Sequence, residues 1–103
     1  FYEDQDPIEN LQKQFPLYAK RFPIWSEHST AIAQYAVWLG LSEMNIGASL
    51  QHYNPVIDAE VAKRWDIPES WVLTAQMPFG SIESPATDKT YIDEDTRYRA
   101  FGV

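Results

Sequence analysis

Apolar residues gather most densely between positions 31 and 41, where Ala31, Ile32, Ala33, Tyr35, Ala36, Val37, Trp38, Leu39 and Leu41 cover nearly the whole circumference of a helix. A helix that is apolar all round is buried on most of its sides. A chain of 103 residues holds too little other material to bury such a helix unaided. The pattern predicts this helix from residue 26 or 29 to residue 44, with a serine near its start, Glu27 in the first turn and Asn45-Ile46-Gly47 as the stop. A second helix is predicted over residues 54–65. Asn54 would cap it, Pro55 would take its first position, Asp58 and Glu60 come early, and Lys63 and Arg64 come late, so its charges complement the helix dipole. Ile57, Val61 and Trp65 recur at four-residue spacing and give it one packing face.

The remaining pattern is more broken. Asp6-Pro7 fits a helix start, and Ile8, Leu11 and Phe15 then recur at helical spacing up to Pro16. Residues 16–23 lie between two prolines and are rich in aromatics, which predicts a helical turn or an irregular segment packed by its rings. Phe22 and Trp25 then belong either to the core or to a cleft where they would stack on a planar ligand. Ile67-Pro68-Glu69-Ser70 is a turn, residues 71–77 read as a largely buried strand ended by Pro78, and Phe79-Gly80-Ser81 is expected to turn the chain away from the sheet. Residues 82–103 are polar and predict an extended arm, with a short final helix over 93–101. Phe1-Tyr2-Glu3-Asp4 reads as the end of a strand in a chain that does not begin with Met, so a truncated or cleaved product is expected, with one domain at most.

Composition narrows the chemistry. Hydrophobic residues make up 45% of the chain and aromatics 15%, which is ample for a core and argues against disorder. Fifteen acidic residues face eight basic ones, for a net charge of -7, and no basic cluster exists beyond Lys20-Arg21 and Lys63-Arg64; nucleic acid is not expected as a partner. The absence of Cys excludes disulfides, thiolate catalysis and Cys-based metal sites. His28 and His52 are the only histidines and lie at no familiar ligand spacing, so no metal site is expected. The apolar run is interrupted by Gln34 and is too short to span a bilayer; no membrane association is expected, and the cytoplasm is the default location. There is no Gly-x-Ser-x-Gly elbow, P-loop or Gly-x-Gly-x-x-Gly, and the carboxylates Asp93, Glu94 and Asp95 read as a solvated face. What remains is chemistry carried by a cofactor, for which a protein supplies backbone donors, shape and a few charges.

The stretch best suited to that task is Asn45 through Pro55, between the two strongest helices, where Gly47 and Ala48 allow close backbone approach and residues 49–53 sit at an element boundary. Gly47-Ala48-Ser49-Leu50-Gln51-His52-Tyr53-Asn54-Pro55 resembles a signature of one branch, found in fungi and Gram-positive bacteria, of the FMN-dependent nitroreductase family. Phe1-Tyr2-Glu3-Asp4-Gln5, Phe22-Pro23-Ile24-Trp25-Ser26-Glu27, Ile67-Pro68-Glu69-Ser70-Trp71 and Gln76-Met77-Pro78-Phe79-Gly80-Ser81-Ile82-Glu83 resemble the same branch, in its order and spacing. The resemblance implies an α+β fold, with a central sheet flanked by helices and a long buried helix at a dimer interface. It implies a homodimer holding FMN at that interface, and it makes residues 1–103 the C-terminal portion of a single domain whose N-terminal half is absent.

By the same resemblance, Leu50, Gln51 and His52 match the segment that lies against the isoalloxazine, where backbone N–H groups reach the flavin. Lys89 matches the basic residue that approaches the FMN phosphate; other members carry an Arg two residues later, where this chain has Tyr91. Taken without the family, His52 is a polar residue before a helix cap, Gln51 a surface amide, Lys89 an exposed tail lysine and Gly80 a turn former. The implied activity carries electrons from NAD(P)H, the co-substrate, through FMN to a small aromatic acceptor of nitroaromatic or quinone type, with no side chain assigned as acid, base or nucleophile. The alternative is a non-catalytic regulatory protein that holds a flavin or another planar ligand on the same scaffold.

Overall fold

The computed structural model describes residues 1–102. In chain order the elements are β1 (Tyr2–Asp4), α1 (Gln5–Gln14), a 3-10 turn (Pro16–Tyr18), α2 (Phe22–Glu43), β2 (Ile46–Ala48), α3 (Asp58–Trp65), β3 (Trp71–Leu73), β4 (Phe79–Ser81) and α4 (Glu94–Arg97). The fold is α+β, as the family resemblance implies.

Each helix forms where the pattern places it, but the first three starts shift, and α4 is shorter than expected. Asp4, not Asp6, caps α1, accepting the Asp6 N–H at 3.2 Å, and Pro7 falls in the first turn, where no N–H is needed. The long helix α2 begins ahead of the predicted serine, at Phe22, with Pro23 in its first turn. Its serine is engaged elsewhere: Ser26 Oγ and Thr30 Oγ1 donate to the two carboxylate oxygens of Glu3, at 3.1 and 2.7 Å. Asn45, in the left-handed region at φ 58°, ends the helix as expected of a residue that tolerates that conformation. The rings of Phe15, Tyr18, Phe22 and Trp25 pack on one another at centroid distances of 5.4 to 6.3 Å and join the end of α1 to the start of α2.

Two expectations are corrected. The second helix starts at Asp58 rather than Asn54, because the Asn54 side chain turns to the sheet instead of to the helix N–H groups. Residues 54–57 form a turn with a cis Asn54-Pro55 bond. Phe79-Gly80-Ser81 leaves the sheet of β1 and β3 but is not a turn: it is β4, in a second two-stranded sheet, antiparallel to β2, with Gly80 opposite Gly47. Gly47 is accordingly a strand residue. A Cβ there would come within 3.1 Å of Ile82 Cγ1, so glycine lets that side chain lie against the strand.

The sheet content is organised by one run of chain, residues 71–81, that changes partner midway. Its first part pairs with β1, in the register Tyr2 to Leu73 and Asp4 to Trp71. Its second part pairs with residues 46–51: Gln51 and Gln76 exchange backbone bonds at 2.7 and 2.9 Å, the Ser49 N–H reaches the Pro78 carbonyl at 3.1 Å, and β4 continues against β2. Pro78 interrupts the ladder without ending it, since proline lacks a donor but keeps its acceptor.

α2 packs on β1, β2 and α1, yet most of its circumference remains open; Ile32 is 69% exposed and Tyr35 67%. Among the described residues the buried apolar ones are Ile8, Leu73 and Ala75, so residues 71–77 are not the largely buried strand expected: β3 ends at Leu73, and Trp71 and Val72 are exposed. A compact protein of 11.9 kDa exposes about 6,000 Å². This chain exposes 9040 Å². Its radius of gyration, 18.2 Å, likewise exceeds the roughly 13 Å of a compact domain of this length. Among the described residues no helix is long and apolar enough to cross a membrane. Residues 82–102 form the expected exposed arm, with α4 capped by Asp93.

Candidate functional site

The site is built on residues 49–53, which run beside residues 76–78. The N–H groups of Ser49, Gln51 and Tyr53 all point to that neighbour, bonding the Pro78 carbonyl, the Gln76 carbonyl and Gln76 Oε1 at 3.1, 2.7 and 2.8 Å. Successive N–H groups of an extended segment face opposite edges. The N–H groups of Leu50 and His52 therefore face away from residues 76–78, and among the described residues neither has a hydrogen-bond partner. Two backbone donors on one open edge, two residues or about 6.7 Å apart along an extended segment, can each bond a separate acceptor along the edge of a planar ring system.

Leu50 is half-buried, Gln51 half-buried and His52 exposed. Of the predicted trio, Gln51 differs from expectation: its N–H is committed to Gln76, and its side-chain amide donates to Ser49 Oγ at 2.5 Å, so its part is to hold the register while its neighbours offer donors. Beside the open edge, His52 lines a cleft of about 320 Å³ with Glu3, Glu27, Thr30, Ala31, Gln34 and Thr74. Both Glu3 oxygens are occupied by the α2 hydroxyls, which fixes this carboxylate in the wall of the cleft. Two carboxylates make the cleft unsuited to a phosphate. The fourth predicted residue, Lys89, lies on the exposed arm, outside the cleft lined by His52.

A larger groove, about 570 Å³, runs along Asn45, Ile46, Phe79, Gly80, Ser81 and Ile82 on the β2–β4 ladder. It carries no titratable group and no unspent pair of donors, so the edge at Leu50 and His52 is the better candidate. Sequence reasoning missed the side chains of Gln76 and Asn54, which anchor this segment. The side-chain partners of Gln76 lie more than twenty residues away, and such contacts leave no periodicity to read.

The nitroreductase family model matches residues 8–81. Two solved structures of the nitroreductase CinD from Lactococcus lactis, in complex with nicotinic acid and with 4-nitrophenol, superpose with TM-scores of 0.93 and 0.94 at 53% sequence identity. They cover 97% of this chain, which in turn spans 52% and 53% of theirs. HBN1 of Saccharomyces cerevisiae, named as a nitroreductase, is 41% identical over 95 residues, or 92% of this chain and 48% of its own length. The chain thus spans about half the length of the relatives it matches. From its motifs, its fold and these matches, the chain belongs to the nitroreductase family.

Proposed function

We propose that the protein carrying this chain is an oxidoreductase that uses FMN to pass electrons from NAD(P)H to nitroaromatic or quinone-type acceptors. The single observation behind this reading is the pair of unspent amide donors at Leu50 and His52, on the segment that matches the family's flavin-binding stretch. FMN, when bound, supplies reversible acceptance and release of an electron pair. The chain's own part is to bind and orient. Leu50 and His52 offer N–H groups to a ring edge, and Gln51 keeps them in register. Lys89, on the exposed arm, would offer positive charge to the phosphate, which the carboxylate-lined cleft would repel. No side chain is assigned as acid, base or nucleophile.

The same reading makes this chain the C-terminal part of one domain that works as a cytoplasmic homodimer, with the apolar face of α2 covered by the rest of the domain and by a second subunit. The surface exposed by this chain exceeds that of a compact protein by on the order of 3,000 Å², which leaves room for both contacts. The nicotinic acid and 4-nitrophenol bound by CinD are respectively a relative of the nicotinamide ring and a nitroaromatic, which supports both halves of the proposed electron path.

The test is the visible spectrum of the purified protein, followed by steady-state oxidation of NADH and NADPH with 4-nitrophenol or a quinone. Flavin absorbance near one equivalent per chain and turnover well above that of free FMN are expected. Bound flavin that NAD(P)H leaves oxidised would make the protein a binder instead. A colourless protein that refuses added FMN would overturn the reading altogether.

A further inference from the structure

Resting on the flavin reading above, we infer that Gln76 is a positioning residue, whose side chain sets the direction of the Leu50 and His52 donors. Gln76 bonds residues 51–54 at every polar group it has. Its backbone exchanges both bonds with Gln51, its Oε1 accepts the Tyr53 N–H at 2.8 Å, and its Nε2 donates to Asn54 Oδ1 at 3.0 Å. The orientation of this amide is dictated by chemistry, because the Tyr53 N–H can only donate and must face the oxygen.

The Asn54 amide carries the chain of bonds onward, donating to the Leu73 carbonyl at 2.8 Å and to Asp58 Oδ1 at 2.9 Å. Two amides in series thus tie the candidate edge to β3 on one side and to the first turn of α3 on the other. The alternation that turns Leu50 and His52 outward needs Tyr53 to turn inward, and the side chain of Gln76 is what receives it. Beyond Gln51 no backbone carbonyl replaces that acceptor, since the neighbouring run has already passed to β1.

Gln76→Ala removes both side-chain bonds. Gln76→Glu keeps an acceptor for the Tyr53 N–H but sets an oxygen against Asn54 Oδ1, and so restores half of the arrangement. The expected result is a loss of FMN affinity of about tenfold in Gln76→Ala, the size of one to two hydrogen bonds. A smaller loss is expected in Gln76→Glu, and in both variants a shift of the flavin absorption maximum and of its midpoint potential. Ile8→Ala, which opens the core away from this segment, is the control for lost stability. It should lower Tm comparably, leaving the bound flavin's spectrum and potential unchanged. Wild-type affinity, spectrum and potential in Gln76→Ala would overturn the positioning role while leaving the flavin reading intact. Equal flavin shifts in Ile8→Ala would reduce Gln76 to a structural residue. Failure of the wild-type protein to take FMN would overturn the flavin reading, and this inference with it.

Discussion

At the scale of single residues, what matters at the candidate site is backbone rather than side chain. His52 attracts notice as one of two histidines, yet the feature that suits it to a ligand is its N–H, which faces an open edge. This separates two substitutions at one position. His52→Ala keeps the donor and should bind FMN within about twofold of wild type, whereas His52→Pro deletes the N–H and should bind about tenfold more weakly. Isothermal titration with FMN measures both, and equal losses in the two variants would show that the imidazole is what counts. Leu50, Gln51 and His52 were legible as candidates because they lie in a recognisable stretch. The division of labour among them was not, because the direction of an N–H depends on which strand lies alongside.

At the scale of elements, Glu3 couples the sheet to the long helix. Its carboxylate on β1 receives Ser26 and Thr30 of α2, one hydroxyl per oxygen, and Glu3 and Thr30 line the cleft with His52. Bonds to a charged group are stronger than neutral ones, and partial exposure of these side chains discounts them. A double-mutant cycle on Glu3→Ala and Thr30→Ala should therefore return a coupling of about 1 kcal/mol by chemical denaturation. Strict additivity would mean that the bond contributes nothing to holding β1 on α2. The helices themselves were readable from periodicity. Their starts were not, because Ser26 and Asn54 spend on distant partners the side-chain groups that would otherwise cap a helix. The strands β2 and β4 were hidden for a related reason: a glycine stands at the centre of each and Pro78 directly precedes β4, and only the pairing of Gly47 with Gly80 shows that a glycine position can belong to a ladder.

At the scale of the whole molecule, α2 is apolar on nearly every side and yet largely uncovered. Ile32, Tyr35, Trp38 and Leu39 are all exposed on it. The 103-residue polypeptide produced alone should bind a hydrophobic dye and sediment as self-associated species. Ile32→Glu combined with Tyr35→Glu should reduce that association, since it places charge in the middle of the apolar face. A monodisperse, dye-silent monomer with a cooperative thermal transition would contradict this expectation. The order of the helices, the all-round apolar helix, the lack of cysteine and the family signature were determined by the sequence itself, since each depends on residue identity or on spacing along the chain. Only the tertiary structure decided that residues 71–81 serve two partners, that Leu50 and His52 turn their donors outward, and that Gln76 and Asn54 hold them so. Those facts depend on contacts between residues 20 or more positions apart, and no local preference of the chain encodes them.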